Sequence, residues 1–383
     1  MTDRAAADRR IKLRSGNQMV AEGAVASGCR FFAGYPITPA SGIYKGMIDL
    51  LQHHGDLAVS SPDEISALAY CVGASMRGYK SMTATSGPGW ALMIETVQYA
   101  LMTETPVVIA LVQRLGPSTG GATQGAQGDV LLTEYCTSGG YTIPVFAPSA
   151  AAECFELTMH AFSWSEILRS PVILLLDKEV GMTTESVDYS ALNMPRVVDR
   201  AGLRRTGGDK SDVRTYEFAR RSDVPPFVAV GSDIKVTATG SAHNKSGELR
   251  KNDPETLEIL HHLEEKVLAR AGEMTVLGPD VESGAETLVV SFGITARAAR
   301  EAVEIARRQG KKVSLVNAQT LFPVPAAGLT GAAAGTRRVV VAEENMHGQY
   351  RGVIRHLFGD RDVAGVNKIG SMITPSEILA AIG

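Results

Sequence analysis

A chain of 383 residues, 44% hydrophobic and 21% charged, carries enough apolar material for roughly two or three domains with sizeable cores. Its formal net charge of −3 gives no basic footprint for nucleic acid, and no apolar run approaches the length of a bilayer span. The four cysteines (Cys29, Cys71, Cys136, Cys154) are scattered without a Cys-x-x-Cys pair, which argues against a disulfide framework or a self-contained cluster and for a reducing cytoplasm.

Residues Met1 to Arg14 mix acids with arginines and lack an apolar core, so they are expected to be a frayed tail and not a secretory signal. A helix from Gly16 to Ser27 leads to a strand, Cys29 to Ala33, which empties into Gly34-Tyr35-Pro36-Ile37-Thr38-Pro39-Ala40-Ser41. Two prolines flanking Thr38 hold the backbone extended and fix where its hydroxyl points. Whether Thr38 faces a ligand or merely caps the next helix, Gly42 to Leu51, stays open at this level.

Leu57 to Ser60 reads as a strand, followed by a helix opened by Pro62-Asp63-Glu64 and ended near Arg77-Gly78. That helix is expected to turn Ile65, Leu68, Ala69, Val72 and Gly73 inward. Glu64 has two readings: an acid serving the helix dipole, or a buried carboxylate aimed at a ligand nitrogen. The next strand, Ser81 to Thr85, breaks on Ser86-Gly87-Pro88-Gly89, and a helix from Trp90 to Met102 follows. The unbroken β-branched run Val107 to Val112 is what a parallel strand buried on both faces looks like. It ends on Gln113-Arg114 and a long glycine-rich loop through Gly116-Pro117-Ser118-Thr119-Gly120 to Gln127-Gly128-Asp129. Arginine there suits a carboxylate ligand through its planar fork, or an ordinary ion pair with Glu95 or Asp129.

Strands at Ile143 to Ala147 and Val172 to Leu176, ending at Asp177, flank a helix from Ala151 to Leu168. From about Thr183 to Glu248 the pattern dissolves, and the basic cluster Arg200, Arg204, Arg205, Lys210 and Arg214 reads as a solvated linker. An amphipathic helix capped by Asp253 runs to Arg270, with Leu257, Leu260, Leu263 and Val267 inward and His261 and His262 at the surface. A second α/β unit follows, with strands Thr287 to Phe292, Lys312 to Asn317 and Arg338 to Ala342 and helices Thr295 to Arg308 and His347 to Phe358. It has no phosphate loop and reads as a packing or interface domain.

Gly34-Tyr35-Pro36-Ile37-Thr38-Pro39, Asp63-Glu64, Thr83-Ala84-Thr85-Ser86-Gly87-Pro88-Gly89 and Gln113-Arg114 with Gly116-Pro117-Ser118-Thr119-Gly120 occur in that order. Together they resemble the alpha subunit of the 2-oxoacid:ferredoxin oxidoreductases, nearest the 2-oxoglutarate type. The resemblance is best from Gly16 to Asp177 and weaker through Glu344-Asn345 and Gly348-Gln349.

It implies an α/β fold with three parts. Residues 15–185 form a pyrimidine-type thiamine-diphosphate-binding parallel-sheet domain, 186–274 a linker and helical connection, and 275–383 a transketolase C-terminal-like domain. Glu64 would meet the pyrimidine ring nitrogen, with Pro36, Ile37, Gly87 and Pro88 around the cofactor. Thr38 and Arg114, with Tyr35 and Ser41, would hold the substrate carboxylate. The implied reaction is coenzyme A-dependent oxidative decarboxylation of a 2-oxo acid to an acyl-CoA (succinyl-CoA for 2-oxoglutarate) and CO2, with electrons passed to ferredoxin. A beta subunit would hold the diphosphate, Mg2+ and an iron–sulfur cluster in an alpha2beta2 assembly, a gamma domain being absent or separate.

The sequence departs from the pattern where Ala122 stands for an expected proline and Ser138-Gly139-Gly140 for an expected His-Gly-Asp. Two alternatives are a beta-type subunit of a lipoamide-linked 2-oxoacid dehydrogenase, and a non-catalytic scaffold.

Overall fold

A computed structural model describes residues 10–203 and 213–383. In chain order the first part reads β1 (Ile11–Ser15), α1 (Gly16–Ala26), β2 (Cys29–Gly34), α2 (Ser41–His54), β3 (Leu57–Ser60), α3 (Glu64–Met76), β4 (Lys80–Thr85) and α4 (Gly87–Met102). It continues with β5 (Val107–Gln113), α5 (Val130–Glu134), β6 (Val145–Phe146), α6 (Ala151–Leu168), β7 (Pro171–Asp177), α7 (Lys178–Met182) and β8 (Thr184–Asp188). The second part comprises α8 (Pro254–Leu268), α9 (Ala271–Met274), β9 (Leu277–Asp280), β10 (Thr287–Ser291), α10 (Thr295–Arg308), β11 (Val313–Ala318) and β12 (Thr320–Phe322). It closes with α11 (Ala326–Ala332), β13 (Arg338–Glu343), α12 (Gln349–Ile354), β14 (Asp362–Asn367) and α13 (Pro375–Ile382).

Seven strands form the main sheet in the order β12-β6-β7-β5-β4-β2-β3, parallel except for β12. Period-two alternation divides β5 between two cores. Ile109 and Leu111 join one with α3 and α4, while Val108, Ala110 and Val112 join the other with α1, α2 and α6. At about 1.5–3 kcal/mol per fully buried aliphatic side chain, this doubly covered strand is a large contributor to stability. From β2 the chain moves outward to β3 and then crosses back to β4 on the other side of β2. Loops diverge at that reversal, which opens a crevice at the carboxyl ends of β2 and β4.

A second sheet, β14-β13-β10-β11-β9, is parallel except for β9. It shares the first core, since Leu288, Val290, Phe292 and Val341 pack into the cluster that holds Ile109 and Leu111. Strand β12, although it follows β11 in the chain, adds itself to the edge of the main sheet beside β6.

Several expectations need correction. Residues 11–15 are no frayed tail: they form β1, paired antiparallel with β8. Helix α3 starts at Glu64, not at Pro62, because the Asp63 side chain accepts the Ser66 N–H as its cap. Its buried face is Glu64, Ala67, Leu68, Cys71, Val72 and Ser75, so Ile65, Ala69 and Gly73 point outward. Thr38 is not a cap either, since α2 begins after Ala40 with no side-chain cap.

On α8, Leu257 is exposed and the buried stripe holds Thr256, Ile259, His262, Leu263, Lys266 and Val267. His262, expected at the surface, is buried, and it and Lys266 both bond buried Glu104, at 3.1 and 2.7 Å. Burial alone pushes the Glu104 carboxyl up, but Lys266, His262 and Arg169 overcome it and hold that group well below the usual range. Arg200 is likewise no solvated linker residue: it pairs with buried Glu166 at 2.6 Å and stacks over Phe227. Arg214 does lie in exposed ion pairs with Glu217 and Glu255, and Arg204, Arg205 and Lys210 lie outside the described residues.

Candidate active site

Four loops at the carboxyl ends of β2, β3, β4 and β5 build the crevice. The loop after β5 carries Arg114, which is 5% exposed. Its turn closes with Leu115 N–H donating to the Gln124 carbonyl and Gly121 N–H to the Leu115 carbonyl, both at 2.9 Å. Only glycine fits at 120, where φ is +46° and a Cβ would stand 1.8 Å from the Leu115 oxygen.

This turn brings the Thr119 carbonyl to Arg114 Nη2 at 3.0 Å, while Arg114 Nη1 donates to the Thr38 carbonyl. Two loops from different strands thus meet on one guanidinium. Arg114 Nε is buried without an acceptor, and no carboxylate among the described residues pairs with it, Glu95 and Asp129 included. A buried N–H left unpaired is costly, so the arrangement suits an incoming anion.

Glu64 opens α3 and is 7% exposed, and its carboxylate accepts no hydrogen bond from any described residue. Gly89 faces it from the first turn of α4. A Cβ at Gly89 would lie 2.6 Å from Glu64 Cγ, 2.7 Å from Oε1 and 2.2 Å from Thr85 Oγ1. The glycine turn after β4 therefore makes room for this carboxylate. Gly87 and Pro88 of the same turn line a cavity of about 380 Å3 with Arg114, Leu115, Pro117, Asp129 and Leu132. Arg114, Gly87 and Pro88 line this cavity; Thr38 joins them through its carbonyl bond to Arg114, and Glu64 lies beside Gly89 of the same turn, neither being part of the wall itself. Tyr35, Pro36, Ile37 and Ser41 stand apart from the cavity wall, with Tyr35 39% exposed and Ile37 packed against the core of α1 and α2.

Two contributors have other roles than the sequence suggests. Asp129 closes the Arg114 loop and has one carboxylate oxygen buried without a partner. Burial pushes its carboxyl up to about 6, with Arg114 acting in the opposite direction. The sequence offered Asp129 only as an ordinary ion-pair partner of Arg114, and no such pair forms among the described residues. The second part of the chain also supplies a wall, through Asn345, Met346, Gln349 and Ile369, and so does more than pack. Gln349 anchors it there by donating to the Gly128 carbonyl at 2.9 Å and accepting the Leu131 N–H at 3.0 Å.

A parallel-sheet crevice holding a buried glutamate with no hydrogen-bond partner among the described residues, joined to a second α/β unit, is the layout expected of a subunit of the thiamine-diphosphate enzymes with a transketolase-like arrangement. A family model described as the thiamine-diphosphate-binding domain of pyruvate flavodoxin/ferredoxin oxidoreductase matches residues 22–230. Another, described as pyruvate:ferredoxin oxidoreductase core domain II, matches residues 285–378. The 2-oxoglutarate synthase subunit KorA of Methanothermobacter thermautotrophicus is 36% identical, over 96% of both chains. The 2-oxoglutarate:ferredoxin oxidoreductase of Magnetococcus marinus, solved with 2-oxoglutarate, coenzyme A and succinyl-CoA bound, superposes with a TM-score of 0.90 at 30% identity. That match covers 97% of this chain but 65% of the longer solved chain. A split-gene transketolase (TM-score 0.55, 15% identity, 96% of this chain and 95% of its own) shares the fold alone.

The chain belongs to the 2-oxoacid:ferredoxin oxidoreductase family and is a subunit of a multi-subunit oxidoreductase of that type. This sets aside the lipoamide-linked alternative.

Proposed function

We propose that this chain is the alpha subunit of a 2-oxoglutarate:ferredoxin oxidoreductase, with Glu64, Arg114 and Thr38 as its catalytic residues. The observation that carries the reading is the presence, in the loops of one crevice, of two buried groups of opposite kind without hydrogen-bond partners among the described residues: the Glu64 carboxylate and Arg114 Nε. An acid facing a ring nitrogen and a cation facing a carboxylate are what thiamine-dependent decarboxylation of a 2-oxo acid requires of this half of a site.

The residues present fit the cofactor's pyrimidine end, because Gly89 clears the space beside Glu64 that a Cβ would fill. When bound, thiamine diphosphate supplies an electron sink for the charge left by departing CO2. Glu64 would hold a proton at the pyrimidine ring nitrogen, with Gly87 and Pro88 walling that end. Arg114 and Thr38 orient the substrate carboxylate. Because that carboxylate leaves as CO2, their work is orientation more than stabilisation.

A beta subunit supplies the diphosphate site, Mg2+ and the iron–sulfur cluster, in an alpha2beta2 cytoplasmic assembly that passes electrons to ferredoxin. The four cysteines of this chain, all buried and free, support a cluster held elsewhere. No helix among the described residues is long and apolar enough to cross a membrane. We take residues 15–185 and 275–383 as the two working units and 186–274 as their connection.

The test is Arg114→Lys in the assembled enzyme. Lysine keeps the charge but loses the fork, so the KM for 2-oxoglutarate should rise while affinity for thiamine diphosphate holds. Collapse of cofactor binding, or an unchanged KM, would contradict the assignment.

A further inference from the structure

The loop that carries Arg114 is held at both ends by one buried carboxylate. Asp177, at the end of β7, is 1% exposed and accepts three hydrogen bonds. Gln113 Nε2 donates to its Oδ1 at 2.8 Å, and Gln127 Nε2 and the Ile294 N–H donate to its Oδ2 at 2.9 and 2.5 Å. Gln113 immediately precedes Arg114, and its Oε1 accepts the Asp129 N–H at 3.2 Å. Gln127 reaches the second part of the chain. Its Nε2 also donates to the Phe292 carbonyl at 3.0 Å, and its Oε1 accepts Thr295 Oγ1 at 3.0 Å and the Glu344 N–H at 2.8 Å. Gly293 is required at this junction: its φ is +56°, and a Cβ there would stand 2.0 Å from Asp177 Oδ2.

The donor and acceptor inventory leaves no freedom. Each glutamine must turn its oxygen toward a backbone N–H, Asp129 for one and Glu344 for the other. Both amide nitrogens then face Asp177, which must accept on both oxygens. Only an ionised carboxylate does so without bringing a proton that these donors cannot accept. An asparagine offers one acceptor, and a protonated aspartate spends one oxygen as a donor. Either change turns a glutamine around or leaves an N–H unpaired, at the residue next to Arg114 or at the junction with Glu344.

We propose that Asp177 is a positioning residue for the substrate-carboxylate clamp: by fixing the orientations of Gln113 and Gln127 it sets the place of Arg114 and ties the clamp to the seating of the second α/β unit. This rests on the reading of Arg114 as the group that holds the carboxylate. The charged or titratable groups that face Asp177 are Glu179 on α7, Glu344 after β13 and the Cys154 thiol on α6. Burial pushes the Asp177 carboxyl up to about 7, against the bonds from Ile294 and Gln127, with Glu179 adding to the rise. The acceptor is therefore complete above that pH and is lost as pH falls through it, so the clamp loosens on the acid side.

The experiment is steady-state kinetics of the assembled enzyme carrying Asp177→Asn, on either side of pH 7. The expected result is a KM for the 2-oxo acid raised about tenfold above pH 7, the scale of one buried N–H left unpaired. Turnover should fall far less, the KM for coenzyme A should hold, and the wild-type rise in KM below pH 7 should disappear. A wild-type KM at every pH would overturn the proposal. If the asparagine variant does not assemble, Gln113→Leu cuts only the arm that reaches Arg114. A raised KM there supports the proposal and an unchanged one overturns it. Arg114→Lys separates the two ideas. If it raises KM while Asp177→Asn does not, only the positioning role fails. If neither raises KM, the reading of Arg114 fails.

Discussion

Replacing Gly89 with alanine tests how closely the glycine turn after β4 fits Glu64. The added Cβ would sit 2.2 Å from Thr85 Oγ1 and 2.6 Å from Glu64 Cγ, whereas ordinary contact begins at 3.4 Å. Thr85 or Glu64 must therefore retreat by roughly 1 Å, in a close-packed region that does not yield freely. Overpacking of this kind costs about 1–3 kcal/mol of stability. A displacement of about 1 Å at a reacting group can cost about a hundredfold in rate. The assay is 2-oxoglutarate-dependent reduction of a viologen dye by the assembled enzyme, with a thermal melt and a thiamine diphosphate titration alongside. We expect turnover to fall about a hundredfold and cofactor affinity to weaken, with the protein still folded at assay temperature. Gly73→Ala on α3 is the control: nothing lies within 4 Å of its Cβ, so activity should hold and stability rise by about 0.5–1 kcal/mol. Wild-type turnover in Gly89→Ala would refute the reasoning, because it would mean that the position of Glu64 is immaterial.

Glu64→Gln should leave the fold intact and cut turnover by about two to four orders of magnitude, the usual weight of an acid–base group; near-normal activity would remove Glu64 from the chemistry. Lys266→Met leaves Glu104 buried beside His262 without its shorter partner, so urea unfolding should show a loss of about 3–5 kcal/mol, and a loss under 1 kcal/mol would contradict the role given to this network. Because the Glu104 carboxyl is held below its ordinary value, its stabilisation is present above about pH 4.5 and is lost as pH falls further. Wild-type stability should accordingly drop on that acid side more steeply than that of Lys266→Met.

What the sequence disclosed follows the reach of its signals. The apolar run Val107–Val112 announced a doubly buried strand because both faces obey one rule. The loops at Thr38, Glu64, Gly87 and Arg114 were legible because each joins a strand end to a turn residue over a few positions. Helix α8 misled because two of its buried positions are polar. His262 reads as a surface residue, and Lys266 gives no signal at all, until Glu104, about 160 residues earlier in the chain, is placed against them. Asp177 was invisible as a hub for the same reason, since its partners Gln113, Gln127 and Ile294 come together only in three dimensions. Strand β12 likewise departs from the sheet of its sequence neighbours to pair with β6 through a short, irregular register that no periodicity reveals.

The central claim is that this chain holds only half of a site: the acid, the carboxylate clamp and the pyrimidine wall. The most direct measurement is to purify it alone and then with its beta subunit, recording for each the visible spectrum and the 2-oxoglutarate- and coenzyme A-dependent reduction of a viologen dye. The account predicts a colourless, inactive isolated chain that binds thiamine diphosphate weakly, and a brown, active complex once the partner is added. A brown isolated chain that reduces the dye would contradict it.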